Sequence, residues 1–221
     1  MKLKLALLPI ALVASAAAYV AFHPGVAYAE PRLAGATPST LDEGGEYTID
    51  PMHASIYFEI THLGLSKVHG RFNAFSAKVH EDPKDLNKST VEFSAKIDSI
   101  DTGVAPRDTH LKAPEYFDAA KFADLTFKST KVAKAKNGYV LTGDLTIKGN
   151  TKKITIPFKH YGPYTMKGMG DQPTRIGIIA EPITIKRTDF GIGDAKALPD
   201  GTMGVSDEVI VRLSFEATLD K

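Results

Sequence analysis

The 221-residue chain has no cysteine and no tryptophan, and its 27 Lys and Arg are almost balanced by 26 Asp and Glu. Without thiols there is no disulfide framework, no thiol nucleophile, no thiolate zinc site and no iron–sulfur cluster. A net charge of +1 provides no global field for capturing nucleic acid, so no nucleic-acid partner is expected. No Gly-x-Ser-x-Gly elbow or His-Glu-x-x-His motif is present to anchor a hydrolase triad or a zinc protease site. His53, His62 and His69 do not have metal-ligand spacing. No catalytic residue, metal or cofactor is assigned. With 43% apolar and 24% charged residues, the composition is that of an ordinary globular protein.

The N-terminus reads as an address. Lys2 and Lys4 precede an apolar run from Leu5 to Phe22, and Ala27-Tyr28-Ala29 has small residues where a signal peptidase needs them. The run is nearly long enough for a membrane anchor, but the Ala-x-Ala site favours cleavage at Ala29-Glu30. The expected product is periplasmic or secreted, and the loss of Lys2 and Lys4 changes its net charge from +1 to −1. Residues 30–45 are rich in Pro, Gly, Ala, Ser and Thr and read as a flexible leader. Residues 46–221 are expected to form one domain.

That domain alternates with a period of two, which places apolar side chains on one face of a strand. Ile56, Phe58 and Ile60 form one such set, and Phe75, Ala77 and Val79 a second. Val91 to Ile97, Leu125 with Phe127, Tyr139 to Ile147, Ile154 to Phe158, the more uniformly apolar Arg175 to Lys186, and Val209 to Ala217 complete eight strands. Gly143 interrupts its strand as a bulge or close approach. Asn137-Gly138 signals a tight type I′ hairpin and Lys148-Gly149-Asn150 a second tight turn. Helical material is confined to Pro106 to Phe122, between the third and fourth strands, so no crossover helices are available for parallel pairing. Eight antiparallel strands fit a β-sandwich or a closed barrel. The short turns between neighbours favour an all-β, eight-stranded up-and-down barrel with a helical insert.

Several stretches then form a recognisable ordered set. His53 to Phe58 leads into His62-Leu63-Gly64 and Gly70-Arg71-Phe72, and the insert carries Arg107 to Leu111 and Pro114 to Asp118. Leu141 to Ile147 with Gly149, Thr151 and Lys152, and Arg187 to Ile192, complete it. From about Tyr47 to Ala217 the chain resembles the YceI-like family of exported polyisoprenoid-binding proteins. The resemblance implies a lipocalin-like barrel with a long apolar tunnel that takes isoprenoid chains, isoprenoid quinones or other long-chain lipids. It also implies a homodimer as an assembly. Two places depart from the family pattern: Phe122-Ala123 replaces an aromatic-Pro pair, and the loop from Met166 to Pro173 is Gly-rich.

The tunnel wall implied by this resemblance comprises Ile56, Phe58, Ile60, Phe75, Phe93, Ala95, Ile97, Phe127, Leu145, Phe158, Leu213 and Phe215. The same residues serve equally well as the self-packed core of a ligand-free structural barrel, and a further alternative is a redox or stress-response accessory that acts on the bound headgroup. Arg107, Asp108 and His110 form a candidate polar mouth, with Arg107 and His110 donating to a phosphate or quinone carbonyl. Their structural alternative is a knot in which Asp108 caps the helix and Arg107 pairs with a carboxylate. Arg187 and Asp189 are a second pair, read as structural. Lys131, Lys134 and Lys136 form either a solvated turn or a patch for transient contact with a membrane surface.

Overall fold

The computed structural model describes residues 37–38, 45–166 and 172–221. The expected signal peptide, most of the 30–45 leader and most of the Met166 to Pro173 loop lie outside the described residues. Eight strands run in sequence. They are β1 (Gly45–His62), β2 (Ser66–Phe72 and Phe75–Glu81), β3 (Thr90–Lys96, continued by Ile100–Asp101) and β4 (Asp124–Ala135), then β5 (Gly138–Ile147), β6 (Asn150–Thr165), β7 (Arg175–Ala180 and Ile183–Lys186) and β8 (Val205–Leu219). Each pairs antiparallel with its successor. The last pairs with the first, along a ladder from Val205↔His62 to Leu219↔Tyr47. The sheet is therefore a closed up-and-down barrel without a free edge. Thr37–Pro38 adds a short pairing to Tyr164 and Thr165.

Breaks within the strands have local causes. Pro182 has no N–H to give the ladder, and β7 divides at Glu181-Pro182. Ile97–Ser99 forms a 3-10 turn, which β2 matches with its own break at Asn73-Ala74. Asn73 N–H donates to the Ser99 carbonyl at 3.0 Å, and Lys96 N–H to the Ala74 carbonyl at 2.9 Å. In β1 the ladder to β8 skips from Ile49↔Ala217 to Ala54↔Phe215, so Asp50 to His53 bulge outward around Pro51.

The turns exchange the expected roles. Ala135 pairs with Gly138, so the loop residues are Lys136 and Asn137, and only Gly138 has positive φ, at 128°. A type I′ turn needs positive φ at both loop residues. Lys148 and Gly149 meet that need, with φ of 50° and 75° between the paired Ile147 and Asn150.

The insert holds one short helix, α1 (Ala105–Leu111), with Pro106 in its first turn, followed by irregular turns. It sits at the barrel end where β1 meets β2 and β5 meets β6. A core of Phe72, Ala95, Ile97, Ile100, Phe190 and Ile192 packs there with Leu111 and Phe117. The opposite end is closed by a smaller cluster of Tyr47, Val79, Ile176 and Ala217.

Candidate functional site

Between these two packed regions the barrel is hollow. A cavity of about 610 Å³ runs along its interior, walled almost wholly by aliphatic and phenyl side chains. Its size is that of small-molecule binding sites in general. Nine of the twelve tunnel residues expected from sequence border it: Ile56, Phe58, Ile60, Phe93, Phe127, Leu145, Phe158, Leu213 and Phe215.

Phe75, Ala95 and Ile97 do not border it, which corrects the expected wall. Ala95 is 1% exposed and paired between Phe75 and Leu125, too short to reach past its neighbours. Ile97 leaves the strand in its 3-10 turn, where its N–H donates to the Ala123 carbonyl at 2.9 Å. Phe75 packs on Phe93 with ring centroids 6.3 Å apart. Residues left off the expected list, including Leu141, Ile154, Ile156, Val209 and Val211, do line the cavity. Their alternation was legible. Tyr116 and Phe117 from the insert join them.

Among the described lining residues, only His62, Ser66 and His110 are exposed, and all three belong to the α1 end. That end is the mouth. Arg107 also borders the cavity, but its Nε donates to Thr102 Oγ1 at 2.7 Å and its Nη2 to the Thr102 carbonyl at 2.8 Å. Asp108 does not line the cavity. It accepts from Thr102 N–H at 2.9 Å and from the Thr102 hydroxyl, which ties the helix start to the chain before it. Arg107 and Asp108 are therefore tied into a structural knot, but not the expected one: Asp108 does not cap α1, whose N-cap is Val104, and Arg107's partner is Thr102 rather than a carboxylate. His110 Nε2 lies 3.2 Å from Glu115 and stacks edge-on against Tyr116.

Arg187 is 6% exposed and donates to the carbonyls of Ser206, Ile192, Asp194 and Val205 at 2.6–3.1 Å. It fastens the loop before β8 rather than pairing with Asp189. Lys131, Lys134 and Lys136 lie exposed at the closed end, away from the mouth.

Among the further polar groups that line the bore, two form an ionisable pair. Glu81, 2% exposed, lines the cavity near its closed end with His160, whose Nε2 is 3.1 Å from Glu81 Oε2. Continuing the alternation 75, 77, 79 to 81 and 154, 156, 158 to 160 would have placed both inward. Beside them the buried Tyr47 phenol is pushed up to about 12, chiefly by burial and secondarily by the charge of Glu81. On the outer wall, Asp50, His53 and Glu216 bring one ligand atom each within 4.8 Å of one another. Arg175 Nη1 already occupies that cluster, donating to Asp50 at 3.0 Å and to Glu216 at 3.3 Å.

A family model described as the YceI-like domain matches residues 47–217. A UPF0312 protein of Vibrio parahaemolyticus is 42% identical over 123 residues, 54% of this chain. That alignment spans 65% of the relative, just under two thirds of its length. A UPF0312 protein of Vibrio cholerae is 40% identical over 177 residues, covering 77% of this chain and 86% of the relative. The crystal structure of Burkholderia cenocepacia BcnA superposes with a TM-score of 0.64 at 25% identity, over 77% of this chain and 99% of that one. The Campylobacter jejuni YCEI protein gives 0.59 at 31% identity, over 73% and 90%. A polyisoprenoid binding domain from Saccharophagus degradans shares the fold, with a TM-score of 0.56 at 15% identity over 79% and 98%.

Proposed function

The chain belongs to the YceI-like family, and from that membership we propose that it holds an isoprenoid chain or similar amphiphilic lipid inside its barrel. It acts as a carrier or buffer without turnover, in the periplasm or outside the cell after cleavage at Ala29-Glu30. The observation that carries this reading is the apolar cavity of about 610 Å³. The binding named for the Saccharophagus degradans domain of the same fold agrees with it.

The energetics are adequate. Burying a methylene contributes about 0.8 kcal/mol, so some ten carbons give roughly 8 kcal/mol, about micromolar affinity before ordering costs. Selection by such a wall depends on girth and length.

The test is native mass spectrometry of the protein purified from a bacterial periplasm, with organic extraction and subsequent addition of isoprenoid quinone or polyprenyl phosphate. A discrete lipid adduct, native or after addition, supports the reading. Persistent refusal of every chain overturns it. Ala180 lines the cavity, so Ala180→Trp is expected to weaken chain uptake at least tenfold while the circular dichroism spectrum stays that of the barrel.

A further inference from the structure

The cavity is largely apolar, yet it has an ionisable pair at the end away from the mouth. Glu81 ends β2 and His160 lies in β6, 79 residues later, and the two side chains meet across the bore. Both are largely buried, with side-chain exposures of 3% and 11%. Leu86 and Ser89, from the segment joining β2 to β3, border the cavity at the same end. Tyr139 stands edge-on to the His160 ring at 6.3 Å. From Ser66 at the rim to Glu81 the chain climbs fifteen residues of β2, on the order of 35 Å of barrel height for a strand tilted about 40°. The pair therefore lies far from the solvent that reaches His62, Ser66 and His110.

A buried ionisable pair is costly to keep, and apolar residues of similar volume commonly serve stability as well or better. One that borders a largely apolar cavity turns hydrogen-bonding groups towards whatever that cavity holds. Resting on the lipid-binding reading above, we propose that Glu81 and His160 form the seat for the polar end of the bound chain, so the ligand enters head first. The end group that fits is uncharged and carries a hydroxyl.

The chemistry selects this class. A phosphate seated there would meet the Glu81 carboxyl, and the neighbouring imidazole already faces that carboxyl at 3.1 Å, so no free countercharge is offered. An anion would be stripped of water with only half an ion pair to meet it. A hydroxyl donates to the Glu81 carboxylate and accepts from an imidazole N–H, satisfying both its roles. The raised Tyr47 phenol fits the same picture, since burial and the Glu81 charge both resist a further negative charge there. A phosphate-bearing chain is left with its head at the mouth and its tail inward.

The experiment compares a twenty-carbon isoprenoid alcohol with its deoxy hydrocarbon and its monophosphate. The intact protein is expected to bind the alcohol roughly ten- to hundredfold more tightly than the hydrocarbon, the worth of one hydrogen bond to a charged group. Glu81→Leu/His160→Phe replaces the pair as a unit, leaving no orphaned charge. It is expected to abolish that preference and keep hydrocarbon affinity. Equal affinity in the intact protein, or a preference that survives in the double variant, overturns the proposal while leaving lipid binding in place. Loss of binding for all three ligands removes the lipid reading itself.

A second measurement needs no variant. An alcohol with a photoreactive group beside its hydroxyl should crosslink to the peptides bearing Glu81, Ser89 or His160. Crosslinks confined to those bearing His62, Ser66 or His110 overturn head-first seating, as does a monophosphate analogue crosslinking at the closed end.

Discussion

Arg187 carries a full charge into the interior, where four carbonyl oxygens receive its guanidinium. Those carbonyls belong to the loop and the start of β8, so one side chain gathers the loop onto the strand that follows it. Arg187→Gln keeps a polar head but loses the fork and the charge. It is expected to cost about 3 kcal/mol or more, because each hydrogen bond to a charged group contributes roughly 1.5–3 kcal/mol. Urea denaturation measures it; an unchanged midpoint would remove Arg187 from the framework. Ala95 presents the opposite case, a small residue buried to 1% exposure without touching the cavity. Ala95→Phe should therefore destabilise the barrel by about 1–3 kcal/mol through overpacking, while the folded fraction takes up lipid as before. Loss of uptake at unchanged stability would return Ala95 to the tunnel wall.

Among the strands, β4 and β5 show how one glycine sets the spacing of a ladder. The β4 register shifts between Ser129 and Lys131, opposite the stretch Thr142-Gly143. A Cβ on Gly143 would run into the Phe127 ring and lie 2.5 Å from the Lys128 carbonyl oxygen. The close approach expected of Gly143 is therefore present, whereas the bulge lies in the neighbouring strand, where Thr130 is the extra residue. Gly143→Val is expected to lower the thermal midpoint by a cost of about 1–3 kcal/mol, as a strand-spacing defect that also displaces a cavity-lining phenyl; a neutral result would show that the ladder gives way easily. The hairpin signals show where sequence reasoning about elements falls short. Asn137-Gly138 was the stronger dipeptide, but the chain made Lys136-Asn137 the loop and kept Gly138 in the ladder, where it packs against the Phe158 carbonyl. Register comes from pairing along the whole strand, and a two-residue preference yields to it.

For the whole molecule, stability should decline at both ends of the pH scale for reasons that can be assigned. The hydrogen bond from His53 holds the Asp50 carboxyl below its ordinary value, and Met52 N–H and Arg175 add to the effect against the opposing cost of burial. As pH falls, the unfolded chain takes its proton first, so the contribution is complete above the ordinary carboxylate value of about 3.9 and vanishes below it. Tyr47 behaves in reverse, with its phenol raised from 10.0 to about 12. The unfolded chain loses that proton first, so the stabilisation is full below 10.0 and disappears as pH climbs towards 12. Tyr47→Phe should flatten the alkaline arm of a stability-against-pH curve and leave the acid arm intact; identical alkaline arms would show that another group governs it. The sequence by itself determined the eight strands, their antiparallel neighbour-to-neighbour order, the place of the helical insert and the inward face of the strands that alternate. These follow from the two-residue period and from short turns, which act locally. Only the tertiary structure decided that the interior stays open and that Phe75, Ala95 and Ile97 are packing rather than wall. It alone also showed that Glu81 meets His160 across 79 residues of chain. Whether inward side chains from eight strands fill a barrel depends on where they meet across its axis, and no single strand carries that information.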